Sequence, residues 1–309
     1  MEQDTKNLII IGSGPAGLTA AIYAARASLN PVVIAGLTYG GQLMSTSEIE
    51  NFPGFPQGIA GPKLMSDMIA QAERFGTVMV YEDVTAVDFF QKPFKVVVGN
   101  KEYFGKSVII ATGAAAVWLG IPTETKLRGK GISGCATCDG FFFKNKEVAV
   151  IGGGDSAMEE ANYLTKFASK ITVINRSENF KASEIMIQRA KENPKVSFLM
   201  NKTIEEFVGE DHLTAVKLKD AKTGETTDLK IDGAFVAIGR KPSTEVFKGQ
   251  IDMDAKGYID VKEYSKTNID GVFVAGDVSD YRYRQAVVAA GAGCMAALEV
   301  EKYLEKNNE

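Results

Sequence analysis

Asn7-Leu8-Ile9-Ile10-Ile11-Gly12-Ser13-Gly14-Pro15-Ala16-Gly17 decides the fold. The apolar run up to Ile11 is short enough to be a buried parallel strand, and it leads directly into G-x-G-x-x-G. Small residues continue through Ala27, with Leu18, Ile22 and Ala25 spaced for a helix packed on a sheet, and Pro31-Val32-Val33-Ile34 then reads as a second buried strand. In this strand–turn–helix–strand context each glycine has a task. Gly12 makes the turn, Gly14 lets backbone approach a pyrophosphate, and Gly17 allows the helix to lie close to the strand, with the phosphate on the helix N-terminus. One usual part is missing. The second strand ends in Ala35-Gly36-Leu37, with no Asp or Glu to hold a ribose, so ribose recognition there must be unusual.

The fingerprint recurs. Val148-Ala149-Val150-Ile151 runs into Gly152-Gly153-Gly154-Asp155-Ser156-Ala157, the G-x-G-x-x-A form, followed by a helix with Met158, Ala161, Leu164 and Phe167 and by the strand Ile171–Ile174. Two dinucleotide-binding units in one chain imply two dinucleotides. The second unit's strand ends at Asn175-Arg176, with Lys181 just beyond; basic groups there accommodate a 2'-phosphate, favouring NADP over NAD. The fold class is therefore α/β, with two Rossmann-like three-layer nucleotide-binding domains, the second inserted into the first. The expected division is 1–114 plus 244–309 for the first domain and 115–243 for the second, with junctions near Ala114 and Pro242.

Between the two fingerprints lies Cys135-Ala136-Thr137-Cys138-Asp139. Two thiols at this spacing can close a small ring that opens and recloses by exchange through its thiolates. The same spacing is half of a tetrahedral zinc site, for which the only further thiol and imidazole are Cys294 and His212, and the two cysteines could also be inert packing residues. Two nucleotide loops flanking the pair favour redox chemistry without a metal. Cys294 itself reads as a packed small residue of the last helix.

Other stretches extend the first unit. Gly40-Gly41-Gln42-Leu43 permits a second close backbone approach, and Glu50-Asn51-Phe52-Pro53-Gly54-Phe55 continues a loop too long to be mere filler. An amphipathic helix is expected over 64–75, then a small β insertion of short strands over 78–87 and 94–98. Val108-Ile109-Ile110-Ala111-Thr112-Gly113 and Gly271-Val272-Phe273-Val274-Ala275-Gly276-Asp277 are strands that stop at small residues, where a ligand can lie against backbone. Asp277 fits as a carboxylate accepting from cofactor hydroxyls. Phe235-Val236-Ala237-Ile238-Gly239-Arg240 closes the inserted unit.

Composition narrows the classes. A chain of 309 residues, 45% hydrophobic, is large enough for two cores, and a net charge of -4 offers no basic field for nucleic acid. No basic n-region precedes the first strand and no apolar run approaches a bilayer span, so neither export nor a membrane is expected. Three cysteines, two in one tetrapeptide, suit a reducing cytoplasm, and a single His removes Ser-His-Asp hydrolysis and His-rich metal sites.

Together, Gly12–Gly17, Gly40–Leu43, Glu50–Gly54, Cys135-Ala136-Thr137-Cys138-Asp139-Gly140-Phe141-Phe142, Gly152–Ala157, Ala275–Val278 and Tyr283-Arg284-Gln285-Ala286 resemble the low-molecular-weight thioredoxin reductases, in order and across essentially the whole chain. The resemblance implies a homodimer with FAD on the first unit, held by Gly12, Ser13, Gly14, Pro15, Ala16, Gly36, Gly40, Gly41, Gln42, Leu43, Asn51, Val84, Ala111, Thr112, Gly113, Gly276, Asp277, Arg284, Gln285 and Ala286. It implies NADPH on the second, held by Gly152, Gly153, Gly154, Asp155, Ser156, Asn175, Arg176, Lys181, Ile238, Gly239 and Arg240. A redox disulfide between Cys135 and Cys138, Asp139 as acid-base partner, and thioredoxin or a thioredoxin-like protein disulfide as substrate follow from it as well. The family carries His-Arg-Arg and a later Arg where this chain has Asn175, Arg176, Ser177 and Lys181; half of the positive fork remains, which leaves NADH possible. Rival expectations are a related flavin reductase fed by NADH or ferredoxin or serving a peroxiredoxin, and a non-catalytic redox-sensing flavoprotein. Because disulfide and nicotinamide loop share the inserted domain, rotation of 115–243 is expected to give them alternate access to one flavin.

Overall fold

In the computed structural model, residues 4–46 and 48–307 are described. The chain divides into two compact units, Met1–Ala115 with Lys241–Glu309, and Ala116–Arg240.

The first unit opens with β1 (Thr5–Ile11), α1 (Pro15–Arg26), β2 (Val32–Ile34) and, after a 3-10 turn at Gly41–Ser45, α2 (Gly61–Arg74). β3 (Val78–Val80), β4 (Val84–Asp88), β5 (Phe94–Val98) and β6 (Lys101–Ile110) follow, and the sheet runs β3-β2-β1-β6-β5-β4. Strand alternation sorts β1 between two cores: Leu8 and Ile10 face α1, whereas Ile9 and Ile11 pack with Val87, Phe94 and Val96 of the β4–β5 side. One expectation is corrected here. Val78–Val80 is not part of a β insertion but the edge of the parallel sheet, in register with β2 from Val32↔Val78 to Ile34↔Val80. Only β4 and β5 form the antiparallel addition, and β5 continues antiparallel onto the first half of β6.

The chain leaves this unit through the short strand β7 (Ala114–Ala116) and re-enters it much later through Arg240–Pro242, and these two segments pair with each other. Within the second unit come α3 (Pro122–Leu127), β8 (Ile132–Ser133), α4 (Ala136–Asp139), β9 (Glu147–Ile151), α5 (Asp155–Leu164), β10 (Lys170–Asn175), α6 (Glu184–Lys191) and β11 (Val196–Met200). β12 (Lys202–Val208), β13 (Ala215–Asp220) and β14 (Thr226–Lys230) make an antiparallel sheet, before β15 (Gly233–Val236) and β16 (Arg240–Pro242) close the unit. Its central sheet, β11-β10-β9-β15-β8, is parallel throughout. β9 repeats the division of β1: Val148 and Val150 pack with α5, while Ala149 and Ile151 pack with Phe207, Val216 and Leu218 of the antiparallel sheet. α5 is shorter than expected. It ends at Leu164, so Phe167 lies past it, edge-on to Phe141 at 6.1 Å between ring centroids. The fully buried Glu124 accepts the N–H groups of Leu119 and Gly120, both at 3.0 Å, and so satisfies backbone donors that a buried loop would otherwise leave unpaired.

Back in the first unit, β17 (Val272–Val274) pairs in parallel with the second half of β6, from Val272↔Val108 to Val274↔Ile110. α7 (Ala286–Asn307) then packs on α1. The approach is close because Gly293 has no side chain: a Cβ there would stand 2.0 Å from the Ala16 carbonyl oxygen. Among the described residues no helix is long and apolar enough to cross a membrane.

Candidate active site

In the first unit, the loop after β1 and the start of α1 touch the ends of β2, β6 and β17 and the Gly40-Gly41 turn. Gly12 follows β1 at φ +112, and a Cβ on it would lie 2.3 Å from the Ala111 carbonyl oxygen, so any larger residue would push the two strand ends apart. Ser13 joins two further segments: its Oγ donates to the Ala35 carbonyl at 2.9 Å and accepts the Gly40 N–H at 2.9 Å. Gly41 comes so near Gly14 that its Cβ would lie 3.1 Å from the Gly14 Cα, whereas a Cβ on Gly14 itself would meet open space. Pro15 and Ala16 begin α1, and Gly276, just after β17, abuts Ala16. Gln42 and Leu43 lie in the 3-10 turn; Thr112 donates from Oγ1 to the Ser243 carbonyl at 2.7 Å, and Gly113 accepts the Ser243 N–H at 3.0 Å. Asp277 is half-buried after Gly276, Arg284 adopts φ +50, Gln285 donates to the Arg284 carbonyl at 3.1 Å, and Ala286 starts α7. The hydrogen bonds above do not tie Asn51, in the loop before α2, or Val84, at the start of β4, to this cluster.

The second unit repeats the cradle. A Cβ on Gly152 would lie 2.4 Å from the Ala237 carbonyl oxygen, which brings the Ile238–Gly239 segment beside the loop, and a Cβ on Gly154 would meet open space at the start of α5. Asp155, in the first turn, accepts both the N–H (2.7 Å) and the Oγ–H (2.9 Å) of Ser183, and Ser156 follows it. The Gly153 carbonyl accepts the N–H of Lys181 at 2.7 Å. Asn175 is buried, and its amide donates to the carbonyls of Ser177 and Asn179, both at 3.0 Å. Its side chain thus shapes the turn that leaves Arg176 and Lys181 exposed.

The same unit carries the sulfurs. Cys135 and Cys138 are joined in a disulfide with Cα atoms 5.4 Å apart, Cys135 half-buried and Cys138 exposed. α4 begins immediately after Cys135, whose carbonyl accepts the N–H groups of Cys138 (3.2 Å) and Asp139 (3.1 Å). Ser133, buried at the end of β8, connects acid and ring: its Oγ donates to Asp139 Oδ2 at 2.5 Å and accepts the Cys135 N–H at 3.0 Å. Burial pushes the Asp139 carboxyl above the ordinary aspartate range, and the Ser133 hydroxyl pulls it part of the way back. Arg240 turns toward this loop, donating from Nη2 to the Gly134 carbonyl at 2.8 Å. Ser133 and Ser183 carry no pattern that marks them in the sequence; only the fold brings them to Asp139 and Asp155. Cys294 is a free, half-buried thiol in α7.

Comparison with known proteins matches these features to one family. Residues 6–293 match the family model described as pyridine nucleotide-disulphide oxidoreductase. A thioredoxin reductase of Rickettsia bellii is 54% identical, covering 98% of this chain and 99% of its own length. One from Streptomyces coelicolor is 52% identical, covering 97% of this chain and 94% of its own length. Among solved structures, thioredoxin reductase from Streptococcus pyogenes superposes with a TM-score of 0.95 at 40% identity, covering 99% of this chain and all of its own. That from Giardia duodenalis gives 0.93 at 42% identity, covering 98% of this chain and 100% of its own.

Proposed function

The chain belongs to the pyridine nucleotide-disulphide oxidoreductases, and among them to the thioredoxin reductases, and from that premise we propose that it passes electrons from NADPH, by way of FAD and Cys135–Cys138, to an oxidised thioredoxin. The observation that carries the reading is a closed disulfide whose neighbouring acid is held by a buried serine, in one unit with a glycine loop.

Family membership implies a flavin and a nicotinamide cofactor. FAD on the first unit and NADPH on the second are our assignments, and the residues fit both. Gly14 and Gly154 each leave space at a helix N-terminus where a pyrophosphate needs backbone donors and no side chain. In the first unit Gly12–Ala16, Gly40–Leu43, Ala111–Gly113 and Gly276–Asp277 would hold the cofactor; in the second, Gly152–Ser156 with Arg176 and Lys181 on a 2'-phosphate. Bound together, the two cofactors supply transfer of an electron pair from a nicotinamide to a disulfide.

The protein's own part begins with the ring. Reduction takes up an electron pair and two protons and leaves two thiols, Asp139 standing beside them with a carboxyl that burial disposes to carry a proton. Cys135 gives its proton to the Asp139 carboxylate, and the thiolate so formed attacks one sulfur of the thioredoxin disulfide, forming a mixed disulfide and freeing a thioredoxin thiolate that takes the proton back from Asp139. Cys138 gives up its own proton and attacks Cys135 Sγ in turn, closing the ring and expelling the second thioredoxin sulfur, which receives that proton and leaves as a thiol. Giving the first attack to Cys135 follows the family pattern, although Cys138 is the more exposed. A mixed disulfide trapped on Cys138 and never on Cys135 would reverse the assignment.

The cytosol as its setting follows from the cysteine usage, and a homodimer from the family resemblance; sedimentation of the holoenzyme checks the latter. The donor is tested by anaerobic stopped-flow bleaching of the flavin with NADPH, NADH and reduced ferredoxin in turn. NADPH is expected to be fastest. NADH at equal or greater efficiency would move the chain to the second reading, for which the single Arg176 and the Ser177 beside it are the supporting features.

A further inference from the structure

A dinucleotide-binding strand–helix–strand unit ordinarily holds the ribose with an acid at the end of its second strand. In the first unit that place is Ala35-Gly36-Leu37, and no acid stands there. Gly36 adopts φ +80, a left-handed conformation that residues with a Cβ rarely take. A carboxylate is nevertheless present at the spot. A Cβ built on Gly36 would lie 3.0 Å from Asp83 Oδ1, and the same oxygen accepts the Leu37 N–H at 2.9 Å.

Asp83 comes from the neighbouring strand connection. β3 lies beside β2, the Ala35 N–H donates to the Val80 carbonyl at 2.7 Å, and three residues later the link between β3 and β4 turns Asp83 over the end of β2. The edge-to-face pair Tyr39–Tyr81, 5.0 Å between centroids, fastens this link to the loop that follows β2. The end of β2 is in turn stitched to the phosphate loop, by Gly12 N–H to the Ile34 carbonyl and by Ser13 Oγ–H to the Ala35 carbonyl, both at 2.9 Å.

We propose that Asp83 is the ribose-binding carboxylate of the first unit, accepting a hydrogen bond from the 2'-hydroxyl of the adenosine half of FAD, with the Leu37 N–H fixing its position. The acid is borne by the adjacent strand link, and Gly36, at φ +80 and without a side chain, leaves it room beside the end of β2. This assignment rests on the reading of the first unit as the FAD site.

The test is titration of deflavinated enzyme with FAD and with its 2'-deoxyadenosine analogue, followed by flavin fluorescence. Unaltered enzyme is expected to bind FAD about 10- to 100-fold more tightly than the analogue, the range for a hydrogen bond to a charged group. Asp83→Asn, whose amide oxygen still accepts the Leu37 N–H, should bind the two flavins within about threefold of each other, since it keeps only a neutral acceptor. Asp83→Ser is read in the same way should the first variant not fold. Equal affinities in the unaltered enzyme, or full discrimination retained by the variants, would overturn the assignment while leaving the FAD site intact. Failure of unaltered enzyme to bind either flavin would remove the FAD reading and this assignment with it.

Discussion

At the scale of the residue, the chemistry depends on how Asp139 is held. Its carboxyl is raised by burial and lowered by the Ser133 hydroxyl, so Ser133→Ala should raise it further and move the pH profile of thioredoxin reduction to higher pH, with Ser133→Thr restoring it. The ionisable groups at the same loop in that profile are the guanidinium of Arg240, which donates to the Gly134 carbonyl, and the two thiols, and α5 packs against α4. The same shift has a consequence for stability. An acid whose folded-state pKa is raised contributes stability while protonated and loses it as pH rises through that pKa. Asp139→Asn should therefore melt at or above the temperature of the unaltered protein at neutral pH, with the difference closing on acidification, and it should reduce thioredoxin more slowly. At the other cofactor, Arg176→Ala and Lys181→Ala are each expected to weaken NADPH by about 10- to 100-fold and NADH little, since each removes a charge-assisted contact with a 2'-phosphate. Equilibrium dialysis of the two nucleotides reads the difference directly.

At the scale of the element, legibility followed the range of the interactions. Both fingerprints could be read because strand, glycine turn and helix lie within one stretch of chain, and their glycines are fixed by contacts with the ends of neighbouring strands: Gly12 by Ala111, Gly152 by Ala237. β3 departs from the expected β insertion because three residues carry too little alternation to separate an edge strand of the parallel sheet from the β4–β5 ribbon that follows it in the chain. Ser133 was invisible because β8 is two residues long, and its hydroxyl gains meaning only when α4 brings Asp139 back to it. Asp83 reaches Leu37 across 46 positions, through the pairing of β2 with β3, so the gap noticed after β2 could not be filled from local pattern. The close approach of α1 and α7 gives an element-scale prediction. Gly293→Ala places a methyl 2.0 Å from the Ala16 carbonyl oxygen and should cost about 1–3 kcal/mol in chemical denaturation, through displacement of α7.

At the scale of the whole molecule, the chain crosses between its units twice, at β7 and β16, and these crossings pair with each other. We propose that these two short strands let one unit rotate as a body, so that ring and nicotinamide take turns at one flavin. A disulfide or bifunctional crosslink joining the units should then suppress turnover while sparing at least one half-reaction; both half-reactions at full rate would argue against rotation. The claim on which the account turns is that electrons leave through Cys135 and Cys138. It is tested most directly by NADPH-driven release of thiols from an oxidised thioredoxin, measured for unaltered enzyme and for Cys138→Ser loaded with FAD. The account predicts that the variant's rate falls to the uncatalysed level while NADPH still bleaches its flavin; thiol release at the unaltered rate by Cys138→Ser would contradict it.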